Sequence, residues 1–121
     1  MAEPAHPFKI LVLEDEILWQ SIIFGVSDNE GFECEIVPSI AEFTEIFKKG
    51  LYKAVILDNL VKDGEALGRA NLVLWIREED PEVKIAFNSS SAAFSKLAET
   101  VGAWNICKDP MELRNFLREM L

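Results

Sequence analysis

The chain has 121 residues, of which 50% are hydrophobic and 27% are charged, and its formal net charge is −9 at pH 7. This length suits one domain with a proper hydrophobic core, and the composition excludes a disordered chain. The negative charge argues against nucleic acid and anionic membranes as direct partners, because both attract basic surfaces. Neither a bilayer-spanning apolar run nor a signal-peptide pattern is present, so we expect a cytoplasmic protein.

The first half of the chain alternates between strands and helices. Residues 1–8, which include the only histidine, His6, are predicted to form a tail before a domain over residues 9–121. Strands are predicted over about 9–14, 32–37 and 52–58, and helices over 17–29 and from Ser39 to Gly50. The buried face of the first helix is predicted to hold Leu18, Ile22 and Val26, with Trp19, Ile23 and Phe24 also heavily buried.

The second half continues the alternation after a polar loop that begins at Asn59. Helices are predicted over about 67–79, through Phe94 and Val101 to an end at Gly102, and after Asp109. Asp109 caps the last helix, and Pro110 is at its first position. Strands are predicted over 83–87 and 104–107. The run from Ala54 to Leu57 is apolar without alternation, which is typical of a central strand that is covered on both faces.

Five strands that alternate with five helices predict an α/β fold with three layers and a parallel sheet. A flavodoxin-like, doubly wound sheet of order 2-1-3-4-5 would place the first and third strands side by side. Glu14, Asp15 and Asp58 would then meet at the carboxyl ends of these strands, where their mutual repulsion calls for a cation. Cys34 and Cys107 would lie on opposite edge strands, roughly 19 Å apart, and we expect two free thiols.

In this order, the strand-end residues resemble those of response-regulator receiver domains, and the resemblance covers nearly all of the chain. It rests on Glu14-Asp15 after the first strand, Asp58 after the third, hydroxyl residues after the fourth, Gly102-Ala103, and Lys108 after the fifth. The resemblance implies that Asp58 accepts a phosphoryl group from a histidine kinase, a phosphotransfer protein or a small acyl phosphate. A downstream protein target would recognise the phosphorylated domain.

The resemblance also implies roles for the residues around Asp58. Mg²⁺ would be bound by Asp15, Asp58 and the Leu60 carbonyl, with Glu14 acting through water. Lys108 and a side chain after the fourth strand, either Ser89 or Asn88, would contact the phosphoryl oxygens. Trp104 falls near the position of the switch aromatic, with Asn105 as its rival.

Three features depart from the family pattern. Asn88 occupies the position of the switch hydroxyl if the fourth strand ends at Phe87, whereas Ser89 does so if the strand is one residue longer. Asp109 separates Lys108 from Pro110, although the family lysine usually precedes a proline directly. The loop over 59–68 is longer than usual.

We therefore expect a stand-alone receiver that signals by protein contact, as a monomer or weak dimer, and that catalyses only its own phosphorylation. The alternative is a pseudo-receiver, a constitutive protein-binding module that is never phosphorylated. A phosphatase of the haloacid-dehalogenase type is disfavoured because Leu60 stands where that class needs a second aspartate. A flavodoxin is disfavoured because the first loop is acidic.

Overall fold

The computed structural model describes residues 8–58 and 66–121, and the side chains of these ranges except those of residues 66–70. The strands are β1 Lys9–Leu13, β2 Glu33–Val37, β3 Ala54–Asp58, β4 Lys84–Asn88 and β5 Trp104–Asn105. The helices are α1 Ile17–Asn29, α2 Ile40–Ile46, α3 Ala66–Glu79, α4 Ala92–Val101 and α5 Pro110–Glu119. The predicted tail lies outside the described residues except for Phe8.

The five strands form one parallel sheet of order β2-β1-β3-β4-β5, which confirms the predicted fold. Successive strand residues point to opposite faces, so the sheet separates two hydrophobic cores. One core contains Ile23 of α1 and Leu113 of α5, and the other contains Phe43 of α2, Ile76 of α3 and Phe94 of α4. No helix of the described ranges is long and apolar enough to cross a bilayer.

The buried face of α1 differs from the predicted one. Ile23 and Ser27 are buried, whereas Leu18 is 62% and Phe24 54% exposed, and Ile17 at the helix start is 78% exposed. Ile23 is buried as predicted, but the exposure of Leu18 and Phe24 contradicts the prediction, because α1 is apolar around most of its circumference. A helix of that kind has no single apolar stripe to indicate which face packs on the sheet.

Three other element ends also differ from their predictions. Helix α2 ends at Ile46 rather than near Gly50, because Phe47 turns to extended backbone and stacks on Phe43 at 5.8 Å and Tyr52 at 6.0 Å between ring centroids. Strand β4 continues to Asn88, and β5 stops at Asn105. The two cysteines lie at opposite edges of the sheet and are free thiols, as predicted.

Asp80 connects the end of α3 to the turn before β3. Its buried carboxylate accepts hydrogen bonds from the Gly50 N–H at 3.0 Å and the Glu82 N–H at 3.1 Å. We expect Asp80→Ala to lower the free energy of unfolding by about 2–3 kcal/mol, because two backbone N–H groups lose a charged acceptor. Urea denaturation measures the change, with Glu79→Ala on the exposed surface of α3 as the matched control. Equal stability of the two variants would contradict the role of Asp80.

Candidate active site

The three predicted carboxylates meet at the carboxyl edge of the sheet. Leu13 pairs with Leu57 in register, so the residues that follow, Glu14 and Asp58, lie side by side at the ends of β1 and β3. One carboxylate oxygen from each of Glu14, Asp15 and Asp58 lies within 4.8 Å of the others. Glu14 and Asp58 are buried and Asp15 is half-buried. Leu60, the fourth predicted metal ligand, lies outside the described residues.

Lys108 reaches the same site from the loop between β5 and α5. Its Nζ lies 3.0 Å from Asp58 Oδ1 and 3.2 Å from Glu14 Oε1. The side chain is only 15% exposed, so the ammonium sits within the carboxylate cluster rather than at its rim. The structure thus brings Lys108 together with Asp58, Glu14 and Asp15.

The Lys108 backbone reaches this position by an unusual turn. Cys107 and Lys108 both have positive φ, 57° and 55°, and no cis peptide bond occurs in the described part of the chain. The Lys108 N–H donates to Asn88 Oδ1 at 2.9 Å, and the Cys107 N–H donates to Asn105 Oδ1 at 3.2 Å. Two side-chain amides therefore hold backbone that L-residues adopt at a cost.

The surroundings of Glu14 perturb its carboxyl group strongly. Its pKa is raised to about 7, first by burial and then by a hydrogen bond with Asp58 and the Asp58 charge. The Glu16 N–H, 3.1 Å from Oε2, and the Lys108 ammonium act in the opposite direction. One ammonium faces two buried carboxylates, so the pocket binds a proton near neutral pH unless another cation enters it.

Asn88 and Ser89 are both buried but occupy different positions relative to Asp58. Asn88 is the register partner of Asp58, so the two side chains lie on the same face of the sheet. Because the Lys108 N–H can only donate, the amide oxygen of Asn88 must face it. Nδ2 is then buried without a partner in the described part of the chain. The Ser89 hydroxyl accepts from the Ser91 N–H at 3.0 Å, in the turn before α4.

The sequence matches no family model and no curated protein. Several solved structures match over most of their length. CheY4 of Vibrio cholerae is 16% identical, with 93% of this chain and 98% of that chain covered and a TM-score of 0.71. A CheY-like receiver domain from Methanospirillum hungatei is 19% identical, with coverages of 93% and 94% and a TM-score of 0.72.

The beryllofluoride-activated receiver domain of DrrB from Thermotoga maritima is 19% identical, with coverages of 93% and 96% and a TM-score of 0.77. This chain has the receiver fold. At these identities the likeness concerns the fold alone, so the chemistry of the site has to be argued from its own residues.

The carboxyl edge of this receiver fold suits a small divalent cation. Three carboxylates supply the oxygen ligands that Mg²⁺ prefers, and a half-buried Asp15 leaves room for the waters that it retains. Lys108 already places a positive charge against Asp58 and Glu14, which shows that the pocket accommodates a cation. Asp15 and Asp58 would hold the metal, and Glu14 would act through water.

The predicted switch aromatic lies away from the carboxylates. Trp104 is half-buried on β5, and its ring centroid is 5.8 Å from that of Phe116 in α5. Its rival Asn105 donates from Nδ2 to the Ser95 hydroxyl of α4 at 2.6 Å, which ties β5 to that helix. A switch role for Trp104 stays a prediction.

Sequence reasoning missed two residues of α1 that border the site. Gln20 Nε2 donates to the Glu14 carbonyl at 2.8 Å, and the Trp19 ring lies under the Lys108 ammonium, with 5.0 Å between Nζ and the ring centroid. One signal for this role was present in the sequence: both residues lie in the first turn of the helix that follows the acidic loop. The assignment of Trp19 to the hydrophobic core is confirmed in part, since it packs against that core and also contacts Lys108.

Proposed function

We propose that this chain is a phosphoacceptor receiver domain of a two-component or phosphorelay system, with Asp58 as the phosphorylation site. The observation that carries the proposal is the position of Lys108, whose ammonium lies between Asp58 and Glu14 at the carboxyl edge of a receiver fold. The donor is the phosphohistidine of a histidine kinase or phosphotransfer protein, or a small acyl phosphate.

In the proposed reaction, an Asp58 carboxylate oxygen forms a bond to phosphorus as the P–N bond of the phosphohistidine breaks. The electron pair of that bond stays on the imidazole, which leaves as the neutral base because its other ring nitrogen carries a proton in the reacting phosphohistidine. Bound Mg²⁺ would supply positive charge that lets a carboxylate approach the phosphoryl group. Lys108 neutralises charge on the phosphoryl oxygens. In this proposal the chain catalyses only its own phosphorylation.

Strand β4 is one residue longer than predicted, which by strand length alone favours Ser89, but the contacts make Asn88 the better placed donor to a third phosphoryl oxygen. Its Nδ2 is buried and has no partner among the described residues, and its register with Asp58 puts the amide beside the acceptor carboxylate. Ser89 already accepts a hydrogen bond in the turn before α4, although its hydroxyl proton remains available. We therefore assign the direct contact to Asn88 and keep Ser89 as the second candidate.

The exposed side of α1 supports a protein as the phosphoryl donor. Ile17, Leu18 and Phe24 are exposed apolar side chains on the helix that begins beside Asp15. A partner that brings its phosphohistidine to Asp58 has to cover this end of the sheet, and burial of these side chains would contribute to its affinity. A downstream target, and a monomeric or weakly dimeric state, stay predictions.

The pseudo-receiver is the second candidate, and one observation favours it. Lys108 already occupies the space between Asp58 and Glu14, so the pocket is partly neutralised by the chain itself. In a pseudo-receiver this arrangement would be permanent, and the domain would bind partners through its surface alone.

Binding of beryllofluoride, an analogue of a carboxylate-bound phosphoryl group, distinguishes the two candidates. We expect the wild type to bind it at one site and only with Mg²⁺, because the added negative charge needs a cation that Lys108 alone does not replace. Fluorine NMR of the bound species measures this, and omission of Mg²⁺ at matched ionic strength is the control. A folded protein that binds no beryllofluoride at saturating Mg²⁺ would favour the pseudo-receiver.

A further inference from the structure

Lys108 depends on contacts particular to this chain for its position. The Lys108 backbone is in the left-handed region, and one hydrogen bond to Asn88 Oδ1 anchors its N–H. That anchor sets where the side chain starts but not where its flexible four-carbon stem ends. The ammonium therefore needs further contacts to stay in the site.

Within the ranges that the structure describes, three groups contact the Lys108 ammonium. Asp58 Oδ1 and Glu14 Oε1 lie 3.0 Å and 3.2 Å from Nζ, and the Trp19 ring centroid lies 5.0 Å away. A cation within about 6 Å of an indole centroid is attracted by the negative face of the ring. Trp19 is half-buried against the core shared by α1 and α5, so its ring is held in place.

We propose that Trp19 is a positioning residue for Lys108 in the phosphoryl-transfer reaction, an inference that rests on the proposed function. Both carboxylate contacts of Lys108 are with residues of the proposed metal site. If those carboxylate oxygens bind a divalent cation, the two ion pairs that they make with Lys108 would weaken. The indole face is the one of the three contacts that does not change, and it keeps the ammonium within reach of the phosphoryl oxygens.

The role differs from ordinary packing because it depends on the charge of Lys108. Trp19→Met keeps an apolar side chain on α1 but removes the ring, whereas Trp19→Phe keeps a smaller ring face. We expect Trp19→Met to slow phosphorylation by acetyl phosphate roughly five- to tenfold at saturating Mg²⁺, and Trp19→Phe to restore part of the rate. Trp75→Met, a matched loss of a half-buried indole on α3, should leave the rate unchanged.

A double-mutant cycle tests whether Trp19 acts through Lys108. In a Lys108→Met background, Trp19→Met should produce no further slowing, because the charge that the ring positions is gone. Equal slowing by Trp19→Met with and without Lys108 would overturn the proposal and leave a structural role. Melting temperatures of all variants identify any loss of rate that comes from unfolding.

A second readout needs no phosphorylation. In the metal-free wild type, the ε-methylene protons of Lys108 should show an upfield ring-current shift in NMR spectra, which Trp19→Met removes and Trp19→Phe reduces. Absence of that shift in the wild type would overturn the placement of Lys108 over the indole. A wild type that shows the shift but takes up no phosphoryl group would overturn the proposed function instead, and with it the catalytic purpose of the contact.

Discussion

Asp58→Asn is expected to take up no phosphoryl group from acetyl phosphate and Mg²⁺, whereas the wild type gains the mass of one. An amide lacks the charged oxygen that attacks phosphorus. Neither neighbour is placed to substitute for Asp58, since Glu14 is buried with a pKa near 7 and Asp15 is not paired with Lys108 in the described contacts. Intact-protein mass spectrometry measures the uptake.

Asp28→Asn is the matched control for this experiment. Asp28 is an exposed carboxylate on α1, so its amide variant should be phosphorylated like the wild type. Phosphoryl uptake by Asp58→Asn equal to that of the wild type would contradict the assignment of Asp58 as the phosphoacceptor. Loss of phosphate from both variants would point to a general effect of reduced negative charge rather than to Asp58.

Acidification from pH 8 to pH 5 is expected to stabilise the metal-free protein through Glu14. The folded protein holds the Glu14 proton up to about pH 7, whereas the unfolded chain releases it near the ordinary pKa of 4.5. Between these values the folded state binds more protons, so stability falls as the pH rises. The contribution is complete below pH 4.5 and lost above pH 7.

Glu14→Gln mimics the protonated carboxyl and should remove most of this pH dependence. At pH 8 the variant should melt several degrees above the wild type, because the buried like-charge repulsion with Asp58 is gone. Thermal denaturation from pH 5 to pH 8 measures both effects, with Glu45→Gln on the exposed surface of α2 as control. The same pH slope in the wild type and in Glu14→Gln would contradict the role of Glu14.

Mg²⁺ should counteract the same repulsion at pH 8. For an assumed dissociation constant of ~1 mM, about 10 mM Mg²⁺ would stabilise the wild type by roughly 1.4 kcal/mol by mass action. Sodium chloride at matched ionic strength separates this effect from screening.

Local patterns of the sequence account for the fold. The uninterrupted apolar runs ending at Leu13 and Leu57 predict buried parallel strands, and their alternation with helices predicts the doubly wound order that the structure shows. The helix cap at Asp109 was also predicted, and the structure confirms it: the Asp109 side chain accepts a hydrogen bond from the Met111 N–H at 2.9 Å. These features depend on residues near one another in the chain, which is why they could be predicted.

The buried face of α1 could not be predicted in the same way. Ile17, Leu18 and Phe24 are as apolar as the residues that the helix buries, so hydrophobicity did not distinguish the two faces. Only packing against α5 and the sheet decides that Ile23 and Ser27 turn inward. The exposed apolar side, and its proposed use in partner binding, became visible only in the folded molecule.

The sequence by itself placed Glu14, Asp15 and Asp58 at the ends of two strands, and the flavodoxin-like order that the alternation allows would bring them to one edge; the structure shows that order. The tertiary structure decided how that cluster is neutralised. Contacts between residues as distant in the chain as Glu14 and Lys108 depend on the turn at Cys107, the amide of Asn88 and the ring of Trp19. These contacts require positions that are correct to within a few ångströms. Only the packing of α1 and α5 against one face of the sheet provides that precision.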